Sequence, residues 1–144
     1  MAMPGQIALL GDLYSLAEKQ LKISTEELLR MVPPFGHDSA PVQPFIVFEE
    51  ADPPLSPTEE AAVFGAWIVR HKPFPSENRE IGFKFMLLML EYAEKPWLEL
   101  PHDAFVVEEM LDALESGATS VAEFVDWVCL RVRVAEELED GSTA

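Results

Sequence analysis

Cysteine is nearly missing from this chain of 144 residues: Cys129 stands alone, so no internal disulfide can form. Histidine is scarce as well, and His37, His71 and His102 are too far apart, from each other and from the cysteine, for the short Cys/His spacings of a zinc site. No G-x-x-x-x-G-K-[ST] or G-x-G-x-x-G stretch occurs, which removes the common nucleotide loops. The longest apolar run, Phe85 to Leu90, falls well short of the roughly 20 residues needed to span a bilayer. The chain does not open with a charged stretch and an apolar core, as a secretory leader would. With the single cysteine, this points to a cytoplasmic protein. Positive charge is in short supply too: 10 Lys and Arg face 26 Asp and Glu, for a net charge of −16 and a pI near 4.3. Such a surface repels nucleic acid and anionic membranes, so neither is expected as a partner.

Apolar residues are plentiful, at 49%, and the length suits one domain with a sizeable core, 1–144. Ile7, Leu10, Leu13, Tyr14, Ala17 and Leu21 recur at three- and four-residue spacing, which predicts an amphipathic helix from Gly5 to Lys22. Ser24 with Glu27, and Ser56 with Glu59 after Pro57, are helix starts of the S-x-x-E type. They open a short second helix, stopped by Pro33-Pro34, and a longer one that must end before Pro73. Residues 33–55 are a Pro-rich loop, broken by "FIVFEE" at 45–50, whose composition predicts a short surface strand. Asn78 to Glu94 reads as the most apolar helix and therefore the central one. Two more helices follow, 101–116 closed by Gly117, and 121–138 capped by Thr119 or Ser120, before a frayed tail at 139–144. The expected fold class is all-α, a bundle of about six helices with one short β element. The tryptophans and Cys129 fall in or beside apolar stripes, where core packing is the ordinary role.

The chemistry-bearing residues concentrate in "RHKPFPSENREIG", 70–82. Arg70, Lys72, Arg79 and Lys84 put four of the ten basic residues within fifteen positions, with His71 among them. A loop entering a helix offers unpaired N–H groups to an anion, with Ser76 as a good N-cap and Asn78 and Arg79 as further donors. Glu77 and Glu80 act the other way, placing fixed negative charge in the same first turn.

This stretch resembles the H-P-F-x-[D/E]-G-N-K-R-T signature of the Fic/Doc family, and in particular its small death-on-curing branch. The flanks "SPTEEAAVFGAWIVRHKPF" and "FMLLMLEYAEKPWLELPHDAFVVEEMLDALESGATSVAEFVDWV" resemble the helices on either side of that motif, including a closing G-x-x-S-V-x-x-[FL] pattern. The likeness covers about residues 56–130. It implies an all-α Fic/Doc bundle, ATP-dependent transfer of AMP or phosphate to a protein hydroxyl, and Mg²⁺ as the metal. It also implies a toxin–antitoxin setting, and a strand-like flap that docks target peptides, here at Phe45 to Phe48. The motif itself departs from the pattern. Without a gap, Pro73 and Phe74 are matched and Lys72 stands at the histidine. Ser76 then stands at the metal-binding acid, Glu77 at the glycine, Asn78 at the asparagine, Arg79 at the lysine and Glu80 at the phosphate-gripping arginine. A shifted register makes His71 the base and Glu77 the metal acid. A protonated lysine is a poor general base, and Glu77 and Glu80 oppose a phosphate. The expectation is a Fic/Doc-fold protein lacking transferase activity and needing no cofactor, which binds or regulates a protein partner such as an antitoxin-like or target segment. The alternative is an atypical transferase that uses His71 and Glu77 with ATP and Mg²⁺.

Overall fold

A computed structural model describes residues 4–33, 43–97 and 103–139. Among them the chain forms seven helices and no strand: α1 (Pro4–Leu21), α2 (Thr25–Met31), α3 (Gln43–Glu50), α4 (Pro57–His71), α5 (Asn78–Tyr92), α6 (Asp103–Ser116) and α7 (Val121–Glu139). No helix among the described residues is long and apolar enough to cross a membrane. The tail beyond Glu139, the segment 34–42, His37 and His102 lie outside the described residues.

Three helix starts share one device. Ser24 Oγ accepts the Glu27 N–H at 3.2 Å, Ser56 Oγ accepts the Glu59 N–H at 3.2 Å, and Ser120 Oγ accepts the Glu123 N–H at 3.1 Å. At Ser56 and Ser120 the glutamate reaches back to the serine N–H, at 2.9 and 3.1 Å, so each box satisfies two otherwise unpaired donors. Gly117 closes α6 at φ +87°, where a residue with a Cβ would be strained, and the Thr119 N–H donates back to the Ala113 carbonyl.

The expected strand at 45–50 is α3 instead. Phe45 is buried and Phe48 half-buried, three residues apart on one helical face, and both pack edge-on or tilted against Phe64 of α4 at ring distances of 5.4 and 6.2 Å. Two aromatics on one side of a strand would need even spacing, so the shared contact with Phe64 selects the helix over local β propensity. A helix has already bonded its own backbone, so α3 cannot dock a peptide by strand addition.

The hub of the bundle is also one helix earlier than expected. α4, rather than α5, packs against α3, α5, α6 and α7, and buries Thr58, Ala61, Ala62, Phe64, Gly65, Ala66, Ile68 and Val69. Its small residues let neighbours approach from several sides. α5 keeps an exposed edge at Lys84, Glu91 and Tyr92. The closest approach is between α4 and α5, where Gly65 and Gly82 face each other. A Cβ built on Gly82 would lie 2.8 Å from the Gly65 carbonyl oxygen, and one on Gly65 would lie 2.9 Å from the Gly82 carbonyl oxygen. Phe64 and Phe85, 4.9 Å apart, close the core beside this crossing.

Cys129 is half-buried on α7, and burial, then the neighbouring Glu59 and Asp126 charges, push its thiol pKa up. The thiolate is the reactive form. Cys129 is therefore expected to react with a disulfide reagent about tenfold more slowly in the native protein than in urea-unfolded chain; equal rates would contradict this environment.

Candidate functional site

The loop that carries the candidate residues joins the two most closely packed helices. α4 ends at His71, and Lys72 takes a left-handed conformation (φ 50°, ψ 58°), its N–H donating to the Ile68 carbonyl at 3.0 Å. This turn leads into Pro73 and Phe74. Phe74 is buried and meets Tyr14 of α1 edge-on, with ring centroids 6.1 Å apart. The Tyr14 hydroxyl donates to the Val32 carbonyl just after α2. Its pKa is raised by burial. The loop centre is thereby anchored to the N-terminal helices.

α5 does not start on Ser76. Its N-cap is Glu77, left-handed at φ 53°, with no capping hydrogen bond from its side chain. The reason lies one residue on. Asn78 is buried, and its amide faces back to Phe74: Oδ1 accepts the Phe74 N–H and Nδ2 donates to the Phe74 carbonyl, both at 2.9 Å. These two bonds close the five residues 74–78 into a compact turn, and within it the positive φ of Glu77 turns the chain into the helix. Glu77 instead accepts a hydrogen bond from Gln20 Nε2 at 3.0 Å, while Lys84 donates to Gln20 Oε1 at 2.6 Å.

Arg79 points to α6. One guanidinium nitrogen pairs with Glu108 at 3.2 Å, and the other with both Asp112 and Glu115. Lys72 reaches Glu115 as well, at 3.4 Å. The hydrogen bond from Arg79 is the main cause holding the Glu115 carboxyl below the usual carboxylate range; Lys72 adds to it and burial opposes it. In the same way the hydrogen bond to Glu115 raises the Arg79 pKa. Lys72 and Arg79, at the two ends of the loop, are thus joined through one carboxylate. None of the three acids is part of the loop motif. Their spacing, 108, 112 and 115, puts them on one face of α6, and that face was the available sign of a basic partner.

His71 is turned to its own helix. Its ring stacks on Trp67 at 4.4 Å with an interplanar angle of 15°, and Nδ1 lies 3.1 Å from the Trp67 carbonyl. Pro73 is half-buried and Ser76 exposed. The structure therefore brings Phe74 together with Asn78, and Lys72 with Arg79, whereas the partners of His71 and Glu77 lie on Trp67 and Gln20. Among the described residues no group of three or more His, Cys, Asp or Glu could hold a metal ion. No protein-family model, no curated protein and no solved structure matches the chain.

The carboxylate clasp on Arg79 makes a pH prediction. Glu115 has a lower pKa folded than unfolded, so its contribution is present above the unfolded value, near 4.3, and is lost as pH falls through the folded value. The partners are partly exposed, so Arg79→Ala is expected to cost only about 1 kcal/mol at neutral pH. That difference should shrink below about pH 4. Urea midpoints of both proteins across pH 3 to 7 measure it, and a gap that widened in acid would contradict the pairing.

Proposed function

We propose that this protein is a non-catalytic binding or regulatory domain of Fic/Doc-like character, in which the loop 72–78 is a structural turn. The observation that supports it is the commitment of the two best phosphate donors. The Asn78 amide is engaged by Phe74 through its oxygen and one N–H, and both terminal nitrogens of Arg79 pair with carboxylates of α6. A triphosphate at the start of α5 would have to displace these partners and approach Glu77 and Glu80 as well. Fic/Doc character is supported by the matched flanks, which fall on the helices either side of the loop, and by the closing Gly117-x-x-Ser120-Val121-x-x-Phe124 pattern, in which Gly117 ends α6 and Ser120 caps α7. The partner is expected to be a protein segment that meets a strongly acidic surface.

Calorimetric titration with ATP, with and without Mg²⁺, tests this reading. No heat is expected at millimolar nucleotide. Saturable, Mg²⁺-dependent binding that is lost in His71→Ala or Glu77→Ala would overturn it in favour of the atypical transferase. So would transfer of label from ATP to a protein target that His71→Ala abolishes.

A further inference from the structure

The sequence of α6, DAFVVEEMLDALES, contains Glu108, Glu109, Asp112 and Glu115 and no Lys, Arg or His. Glu108 stands four residues before Asp112, and Glu109 and Glu115 stand three residues from it, spacings at which like charges weaken a helix. Glu115 also lies in the last turn, where the helix dipole disfavours an acid. Helices of about 12–15 residues are marginal in water even when rich in alanine. The order of α6 therefore depends on what it docks against.

Two attachments hold it. Val107, Leu111 and Leu114 are buried, and α6 packs against α4 and more lightly against α7. The second attachment is electrostatic: Arg79 meets Glu108, Asp112 and Glu115, and Lys72 meets Glu115. These two residues carry the positive charge that α6 itself lacks. α4 and α5, by contrast, share the most extensive contact in the fold and need no such compensation.

We propose that α6 is a detachable latch: it leaves the core of α4, α5 and α7 and melts as one unit while that core stays folded, and the clasp of Arg79 and Lys72 sets how often it does so. Each opening uncovers the strip of Val107, Leu111 and Leu114 and at the same moment frees two cations beside the loop. A region that is acidic and closed when docked thereby gains an apolar face next to positive charge. The device does not rest on the Fic/Doc reading of the loop.

Hydrogen exchange of the full-length protein, followed by mass spectrometry at increasing urea below the unfolding transition, is the test. Peptides of α6 are expected to exchange through an opening at least tenfold more populated than that of α4 and α5, with a weaker urea dependence because less surface is exposed. Arg79→Ala should make the α6 opening about fivefold more frequent, and Lys72→Met, a milder change at an exposed residue, about twofold. Gly11→Ala separates local from global opening. It adds helix propensity to α1 where a Cβ meets nothing within 4 Å, so it should slow exchange of α4 and α5 by about two- to fivefold and leave α6 unchanged. If α6 slowed in step with α4 and α5, it would open only when the whole protein unfolds, and the latch would be overturned. Exchange of α6 that ignored both Arg79→Ala and Lys72→Met would overturn the role of the clasp.

Discussion

Gly82→Ala is expected to destabilise the protein by about 1–3 kcal/mol, although alanine is the better helix former by about 1 kcal/mol. The new Cβ would lie 2.8 Å from the Gly65 carbonyl oxygen, 3.0 Å from Val69 Cγ2 and 3.3 Å from Ile68 Cβ. A side-chain tip can rotate away, but a backbone carbonyl inside a buried helix can yield only if the helix moves. α4 and α5 must then part along their most extensive contact, which also loosens Phe64 against Phe85. Gly65→Ala meets the same obstacle from the other side, with the Gly82 carbonyl and Met86 Cβ both at 2.9 Å. Because one separation relieves both clashes, the double variant should cost clearly less than the two single costs added together.

Gly11 supplies the control. It is exposed within α1, and a Cβ there would meet nothing within 4 Å, so Gly11→Ala should stabilise by about 0.5–1 kcal/mol through helix propensity alone. Urea unfolding followed by circular dichroism compares the variants directly. If Gly82→Ala behaved like Gly11→Ala, the close glycine crossing would be wrong, and with it the placement of the loop between its two helices.

These glycines also show where sequence reading stops. Helix positions were legible because their signals are local: S-x-x-E boxes at Ser24 and Ser56, a cap at Thr119 or Ser120, apolar spacing along α1 and α7, Gly117 after α6, and Pro73 after α4. The failures share a different cause. α3 is helical through contacts with Phe64, which lies far along the chain. α4 is the hub because its alanines and Gly65 allow close neighbours, whereas apolarity alone favours the Leu- and Met-rich α5. At the candidate site, the loop and its two flanking helices were readable, but the fate of each donor was not. Ser76 has good N-cap chemistry and is bypassed because Asn78 reaches back to Phe74. Arg79 has the charge for a phosphate and is taken by acids 29 to 36 residues later. Long-range partners of this kind decide whether a donor is free, and single-residue chemistry does not carry that information.

Asn78 carries the second large effect. Asn78→Ala removes two buried hydrogen bonds and leaves the Phe74 N–H and carbonyl without the partners they have now, at an expected cost of about 2–4 kcal/mol. Asn78→Asp keeps the shape and separates the two bonds. Its carboxylate can still accept the Phe74 N–H, but its second oxygen then faces the Phe74 carbonyl oxygen, in a buried position that also disfavours the charge. The protonated acid restores a donor to that carbonyl. The folded state therefore holds the proton more tightly than the unfolded chain, whose aspartate titrates near 3.9, and stability is lost as pH rises through the higher folded pKa. The gap between the native protein and Asn78→Asp should be widest at neutral pH and narrow toward pH 4, while the Asn78→Ala gap stays nearly flat. A constant Asn78→Asp gap would mean that the Asn78 amide does not donate to Phe74. The same pair of variants bears on function. A loop that cradled phosphate would need the Asn78 donor released from Phe74, so nucleotide binding that appeared in the native protein and vanished in Asn78→Asp would point to a cradle. Loss of stability with no nucleotide binding in either protein is the outcome expected of a structural turn.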